Sequence, residues 1–346
     1  MLFKTILVGY GKIGRDLTSL IAKKKKELKQ YDLEIMIIAA LDSSGGVVDP
    51  LGLNLETLNQ VKQQQGRLCN YPKHGREDLS VQDAIAQIDD SNLLVEMTPT
   101  DFQTGQPGIS NISLGIESGL NIVTTNKGAL ALAFPKLKKA AQQAQLFIRY
   151  TGAAATPLPT TELEEYAAMG LRMTRIESVV NACTNLILAR MLEGVSKVDA
   201  IEEARNKGLL ESNPDIDLNG WDTACKMVIT ANMLLDAQVT LADVQQVSGL
   251  NTIESRDVMR AKENNQVLKH RGMVERSGEK VRIVSDVKPY PRSHMFSRLE
   301  GSAKAMIIQT ANAAGFTYMS EQVGSLPSAE AILSDITSLQ RSITAR

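Results

Sequence analysis

Four acids and a lysine crowd into the sixteen residues ESNPDIDLNGWDTACK, Glu211 to Lys226. Asp222 and Lys226 are four apart, so on a helix they lie one turn apart on the same face. Ala224, Val228, Ala231 and Leu235 continue at helical spacing and give that helix a buried side. Pro214 and the Asn219-Gly220 pair mark the preceding residues as loop. Glu211, Asp215 and Asp217 are then acids on a loop that feeds the helix. Two readings are open. One is a surface ion pair beside a solvated loop, which does little. The other is a proton-handling carboxylate and ammonium near a core.

A second group with chemistry in it opens the chain. Phe3 to Val8 is a short apolar run, read as a buried parallel strand. GYGKIG follows at once, with Gly9, Gly11 and Gly14 in the GxGxxG pattern and Lys12 and Ile13 between the last two. A helix is expected over Arg15 to Leu28, with Lys23 to Lys26 its solvated end, and then a strand, Glu34 to Leu41, ending in Asp42. Together these make a Rossmann βαβ unit. The glycines let a pyrophosphate approach the helix amino terminus, where free N–H groups and the dipole favour anions. An acid at the end of the second strand can take the ribose hydroxyls of adenosine. Asp42 repels a 2′-phosphate and no arginine lies beside it in DSSGGVVD, which favours NAD over NADP. Ser43 and Ser44 could still hydrogen-bond a phosphate.

The elements that must position these residues alternate. Strands are expected at Asn92 to Glu96, Asn121 to Thr125 and Leu146 to Tyr150, with helices at Ser110 to Gly119 and Pro135 to Gln143. Strand ends in such a sheet are where ligands sit, which draws attention to Thr98-Pro99 and to Asn126-Lys127-Gly128. Lys127 is either a surface lysine or one that reaches the reactive end of a nicotinamide. At Thr151 to Pro157 the chain turns to small residues, suited to a domain crossover. Beyond it lie a strand from Met173 to Asn181, a helix beginning at Leu186 to Met191, and a helix from Ser196 to Lys207 with Val198, Ile201 and Ala204 inward. A hairpin turns at Ser277-Gly278, and a carboxyl-terminal helix packs back on the nucleotide domain. The fold class is α/β, a Rossmann-type domain plus an α+β domain.

Composition narrows the rest. A chain of 346 residues, 43% hydrophobic and 22% charged, has room for two domains. A net charge of −1 offers nothing to nucleic acid or a membrane surface. Three cysteines at unrelated spacings argue against disulfides and zinc, and fit a reducing compartment. The three histidines are far apart in sequence, so no metal site is expected. With neither a signal-peptide pattern nor a membrane-length apolar run, the expected location is the cytoplasm.

The residues GYGKIGR at 9–15, EMTPT at 96–100, TGQP at 104–107, NIVTTNKGALAL at 121–132, NACTNLIL at 181–188 and GLLESNPDIDLNGWDTACK at 208–226 resemble homoserine dehydrogenase, in its short form without a regulatory ACT domain. The resemblance implies NAD(P)-dependent interconversion of L-homoserine and L-aspartate 4-semialdehyde, toward threonine and methionine, in a homodimer built by the second domain. Domain boundaries follow: 1–150 for the cofactor, completed by about 315–346, and 151–314 for catalysis and dimerisation.

Residue by residue, the resemblance makes Lys226 the general acid, Asp222 its orienting partner and Lys127 the group that polarises the carbonyl or binds the carboxylate. It makes Glu211 the holder of the substrate ammonium and counts Asp217, Ala182 and Cys183 among the substrate-binding residues. The sequence also departs from the family. Asn181-Ala182-Cys183 stands where Asn-Gly-Thr is usual, which alters the substrate pocket. Gln322-Val323-Gly324 replaces a Gly-Ala-Gly segment near the nicotinamide ribose, leaving Gly324. Backbone carbonyls at 151–157 could take a monovalent cation, although the glutamate that often joins them is missing. These departures keep two alternatives open: a related dehydrogenase acting on another amino-acid or hydroxy-acid aldehyde, and a catalytically silent dinucleotide-binding protein. No histidine or other base can be placed beside Cys183, which argues against a nucleophile there.

Overall fold

The structure, a computed structural model, describes all residues except 89, 155, 157, 159–162, 165–169, 211–213, 313–314, 321–324 and 346. The chain divides into two compact units, Met1–Thr156 with Ser325–Arg346, and Pro157–Gly324.

The first unit is a seven-stranded sheet in the order β4-β3-β2-β1-β5-β6-β7. Its strands are β1 (Leu2–Val8), β2 (Glu34–Asp42), β3 (Gly45–Val48), β4 (Gly75–Arg76), β5 (Leu93–Glu96), β6 (Asn121–Thr124) and β7 (Ile148–Arg149). β1, β2, β5, β6 and β7 run parallel; β3 and β4 add an antiparallel edge. Alternate residues feed opposite faces. Phe3 and Leu7 join a core with helix α1 (Lys12–Gln30) and part of α2 (Leu55–Gln65). Ile6 and Val8 join a second core with α3 (Val81–Ala86), α4 (Gly108–Glu117) and α5 (Lys127–Gln143). Both faces are covered, which is why these strands read as unbroken apolar runs.

Helix α5 starts at Lys127, eight residues before the expected Pro135, which lies inside it. Asn126 makes this start by accepting a hydrogen bond from the Ala129 N–H at 3.0 Å. A proline inside a helix removes one donor but does not end a helix whose face is buried. At the crossover, Thr151–Ala154 forms a single helical turn, α6. Asp335 fixes it, accepting from the Thr151 N–H at 2.9 Å and hydroxyl at 2.6 Å.

The second unit is a six-stranded sheet, β13-β12-β8-β10-β11-β9. It contains β8 (Met173–Val179), β9 (Gln246–Val247), β10 (Gln266–Ser277), β11 (Lys280–Pro291), β12 (Lys304–Thr310) and β13 (Phe316–Ser320). Its helices are α7 (Ala182–Leu192), α8 (Lys197–Asn206), α9 (Pro214–Leu218), α10 (Trp221–Leu234) and α11 (Ser255–Glu263). β10 and β11 form the expected hairpin, twelve residues a side, turning at Gly278 with φ +63°. β13 pairs with β12, so the return to the first unit starts at Ser325, where the last helix, α12 (Ser325–Thr344), begins, and not near 315. Helix α12 packs on α1 in the first core. One inward assignment on α8 is corrected: Val198 is 75% exposed, while Ala200 and Ala204 are buried. Ser196 caps that helix, and its inward face is the one formed by Ala200, Ile201 and Ala204 in the cluster shared with α7.

An ion network crosses β8, β10 and β11. Glu177 accepts hydrogen bonds from Arg271 at 2.7 Å, from Arg175 at 3.1 Å and from the Tyr290 hydroxyl. Burial raises the Glu177 carboxyl, but these donors outweigh it and bring it to about 2 from an ordinary 4.5. A depressed carboxylate stabilises the fold above its unfolded value and loses that contribution as pH falls through the folded value. Replacing Glu177 by Gln should therefore cost roughly 3 kcal/mol at neutral pH, fading as pH falls from 4.5 toward about 2, as measured by urea unfolding across pH.

Candidate active site

In the first unit, the Gly9 and Tyr10 N–H groups both donate to the Leu41 carbonyl, at 2.9 and 2.8 Å, and turn the chain sharply off β1. Gly9 has φ +87°, and a Cβ there would lie 2.4 Å from the Thr98 nitrogen, so only glycine fits. A Cβ on Gly14 would press on the Tyr10 ring at 3.0 Å. Gly11 differs: it precedes α1, and a Cβ there meets nothing within 4 Å. No side chain caps α1 and no acid lies in its first turn, so the N–H groups of Lys12, Ile13 and Gly14 face an open cradle that suits a pyrophosphate.

Asp42 ends β2 as expected, but its carboxylate is engaged. It accepts from the Ser44 N–H and hydroxyl at 2.7 and 2.5 Å, from the Leu68 N–H at 3.2 Å and from Lys62 of α2. Burial raises this carboxyl, yet the Lys62 and Ser44 hydrogen bonds outweigh burial and lower it. Lys62 supplies the cation that the local sequence around Asp42 lacks, and this weakens the charge argument against a 2′-phosphate. Ser44 makes these bonds, while Ser43 is exposed. At the neighbouring strand ends, Thr98 is half-buried and Pro99 exposed, and Lys127 is the first residue of α5, with its ammonium 5.9 Å from the Phe102 ring centre.

In the second unit Asp222 is buried and its partner Lys226 half-buried, so the pair is not a surface contact. Lys226 Nζ donates to Asp222 Oδ2 at 2.6 Å and to the Val180 carbonyl at 3.1 Å, and the two side chains are 12% and 2% exposed. Asn181 Nδ2 donates to Asp222 at 2.9 Å and to Asp217 at 2.7 Å, and Asn181 Oδ1 caps α7 at Thr184. Residues 214–218, expected as loop, form the short helix α9 and bury Asp217. Cys183 lies in the apolar cluster under α7 and α8, and Ala182 beside it is half-buried. Burial, with the negative charge of Asp217 and Asp222, pushes the Cys183 thiol up, so it is not a thiolate near neutral pH. Glu211 and Gly324 lie outside the described residues.

Asn181 and His270 adjoin the Asp222–Lys226 pair, and sequence reasoning gave neither of them a role. His270 on β10 is buried, its Nε2 3.1 Å from the Ser285 hydroxyl, which donates to the Gly220 carbonyl at 2.9 Å just before α10. Its Nδ1 lies 3.3 Å from the Thr184 hydroxyl. Burial brings His270 down to about 4, so it is neutral and acts by holding the starts of α7 and α10. An asparagine before an apolar helix signals a cap, but nothing in its spacing shows that its amide faces two aspartates.

A covered parallel sheet with a glycine cradle, and a separate unit burying a carboxylate–lysine pair, define a dinucleotide-dependent oxidoreductase. The family model of homoserine dehydrogenase matches residues 159–337. A homoserine dehydrogenase of Methanocaldococcus jannaschii is 30% identical over 338 residues, 97% of this chain and 98% of that protein. An NAD(+)-dependent homoserine dehydrogenase of Pseudomonas canavaninivorans is 28% identical over 346 residues, covering 99% of this chain and 97% of that protein. The crystal structure of the Thermoplasma acidophilum homoserine dehydrogenase shares the fold with a TM-score of 0.83 at 24% identity, over 99% of this chain and 100% of that one. The chain belongs to the homoserine dehydrogenase family, whose members are oxidoreductases acting on a CH–OH group with a nicotinamide dinucleotide.

The glycine geometry yields a test. Gly11→Ala should fold with an unchanged melting temperature but weaken NAD binding about tenfold or more, because its methyl enters the cradle alone. Gly9→Ala should lose both stability and binding. Cofactor titration beside thermal unfolding separates the two.

Proposed function

We propose that this chain interconverts L-homoserine and L-aspartate 4-semialdehyde, with NAD as the preferred cofactor. The observation that carries the reading is the largely buried Lys226–Asp222 pair, joined through Asn181 to Asp217. Bound nicotinamide dinucleotide supplies or accepts the hydride. For reduction, the Lys226 ammonium gives a proton to the oxygen that develops on the aldehyde carbon; for oxidation, the neutral amine takes it back. Asp222 and the Val180 carbonyl fix the direction of the amine, so no reorganisation is needed as charge develops. Asp217 and Glu211 hold the substrate ammonium, and Lys127 meets the carbonyl or carboxylate oxygen. The cradle residues Gly9, Gly11, Lys12, Ile13 and Gly14 hold the pyrophosphate, Asp42 and Ser43 the adenosine ribose, and Thr98, Pro99 and Gly324 the nicotinamide end.

The same reading has the chain work as a homodimer in the cytoplasm, in the supply of threonine and methionine. The name of the Pseudomonas relative supports NAD, while the Lys62–Asp42 ion pair limits the discrimination. Homoserine oxidation should show a higher kcat/KM with NAD than with NADP, and the reverse order overturns the preference. Lys226→Ala should lower kcat roughly 10² to 10⁴-fold while NAD binding, followed by fluorescence quenching, stays unchanged. Turnover near the parent rate in that variant would remove the mechanism.

A further inference from the structure

Glu96 closes β5 with a side chain that no step of the reaction uses, and it is fully buried. One oxygen accepts from the Thr98 N–H at 2.8 Å and from the Thr98 hydroxyl; the other accepts from Asn111 of α4 at 2.8 Å. Asn126 reaches this carboxylate through Thr98, whose carbonyl accepts from its amide at 3.3 Å. Asn126 in turn donates to the Thr98 hydroxyl at 3.1 Å and its Oδ1 accepts from Ala129 in the first turn of α5, next to Lys127. Thr98 is also the residue whose nitrogen sits so close to Gly9 that a Cβ cannot be added there. A single buried carboxylate is thus tied to the glycine turn, the end of β5 and the start of α5. Burial raises its carboxyl, and the hydrogen bonds from Thr98 and Asn111 oppose that rise. A fold needs no charged group at such a point, since an apolar side chain would fill it without desolvation cost.

We propose that Glu96 is a positioning residue for the reaction, acting through Thr98 and Asn126 to set the nicotinamide end of the cofactor site and the direction of Lys127. The proposal rests on the reading above of Thr98 and Lys127 as cofactor and substrate contacts. Hydrogen bonds to a buried charged group are the strong ones, and removing the acceptor leaves two polar side chains and a backbone N–H to find new partners. The loop at 97–100 then moves while the sheet beneath it stays.

The test is steady-state kinetics of the full chain with NAD and homoserine, with thermal unfolding alongside. Glu96→Leu should raise the KM for NAD about tenfold and lower kcat, with the KM for homoserine within about twofold. Glu96→Gln should recover most of the loss, because its amide oxygen still accepts both Thr98 donors while the Asn111 amide can turn over. Where Glu96→Leu does not fold, Glu96→Asp, which keeps the charge and shortens the reach, is read in the same way. Unchanged NAD kinetics, or equal shifts of both KM values in step with a lower melting temperature, overturn the proposal. Lys127→Ala run in parallel separates the two levels. If it cripples turnover while the Glu96 variants do not, only the positioning role fails. If it is inert as well, the reading of this edge as the cofactor site fails and takes the proposal with it.

Discussion

A half-buried lysine held 2.6 Å from a buried aspartate sets a strict demand on the second unit. Taking both charges out of water costs several kcal/mol each unless nearby dipoles replace the solvent. The replacement is specific: the Val180 carbonyl on the lysine, the Asn181 amide on the aspartate. These acceptors and donors come from the end of β8 and the cap of α7, so strand, cap and helix α10 must all hold position for the pair to keep its partners. Gly272 on β10 serves the same end, since a Cβ there would strike the Met227 side chain of α10 at 2.4 Å. The neutral His270 and Ser285 then pin the loop before α10 through the Gly220 carbonyl. Pre-organisation of this kind spares the site from reorganising when a proton moves.

The first unit applies the same physics at its strand ends. Asp42 closes β2 and Glu96 closes β5, and each is held by donors from the loop that follows it. A carboxylate at the end of a parallel strand, satisfied by N–H and hydroxyl groups, turns a flexible βα loop into a fixed ledge. The glycine turn differs because it must leave room, so there the chain uses φ +87° at Gly9 and an open cradle at Gly11 in place of side chains. Where Asp42 and Glu96 direct their charge to their own loops, the helix end of α1 keeps its N–H groups for a ligand.

Much of this is legible in the sequence, and the limits have physical causes. The parallel strands show because residues buried on both faces must be apolar throughout, and the glycine turn because a backbone passing 2.4 Å from a would-be Cβ admits nothing else. Lys127 is readable at a strand end, but the start of α5 reads eight residues too late, at Pro135, because proline outweighs a local Asn cap in any propensity argument. The inward face of α8 misleads at Val198: apolar type suggests burial, while the partners across the cluster take the face of Ala200, Ile201 and Ala204. Lys62 escapes notice as the partner of Asp42 because it lies twenty residues away, on a helix the local window does not contain.

Spacing alone determined that Asp222 and Lys226 share a helix face, that three glycines precede or open α1, and that an acid ends β2. Those follow from the 3.6-residue helix period and the steric demands of a tight turn, which are local. Whether the pair sat in water or in a core was undecided, since an i, i+4 pair looks the same on either side of a helix. Tertiary structure settled it by burying α10 against β10 and β11 and bringing Asn181, forty-one residues from Asp222, onto both aspartates. Burial is what turns an ion pair of little worth into an amine held in one direction, and burial is decided by what the rest of the chain packs against it.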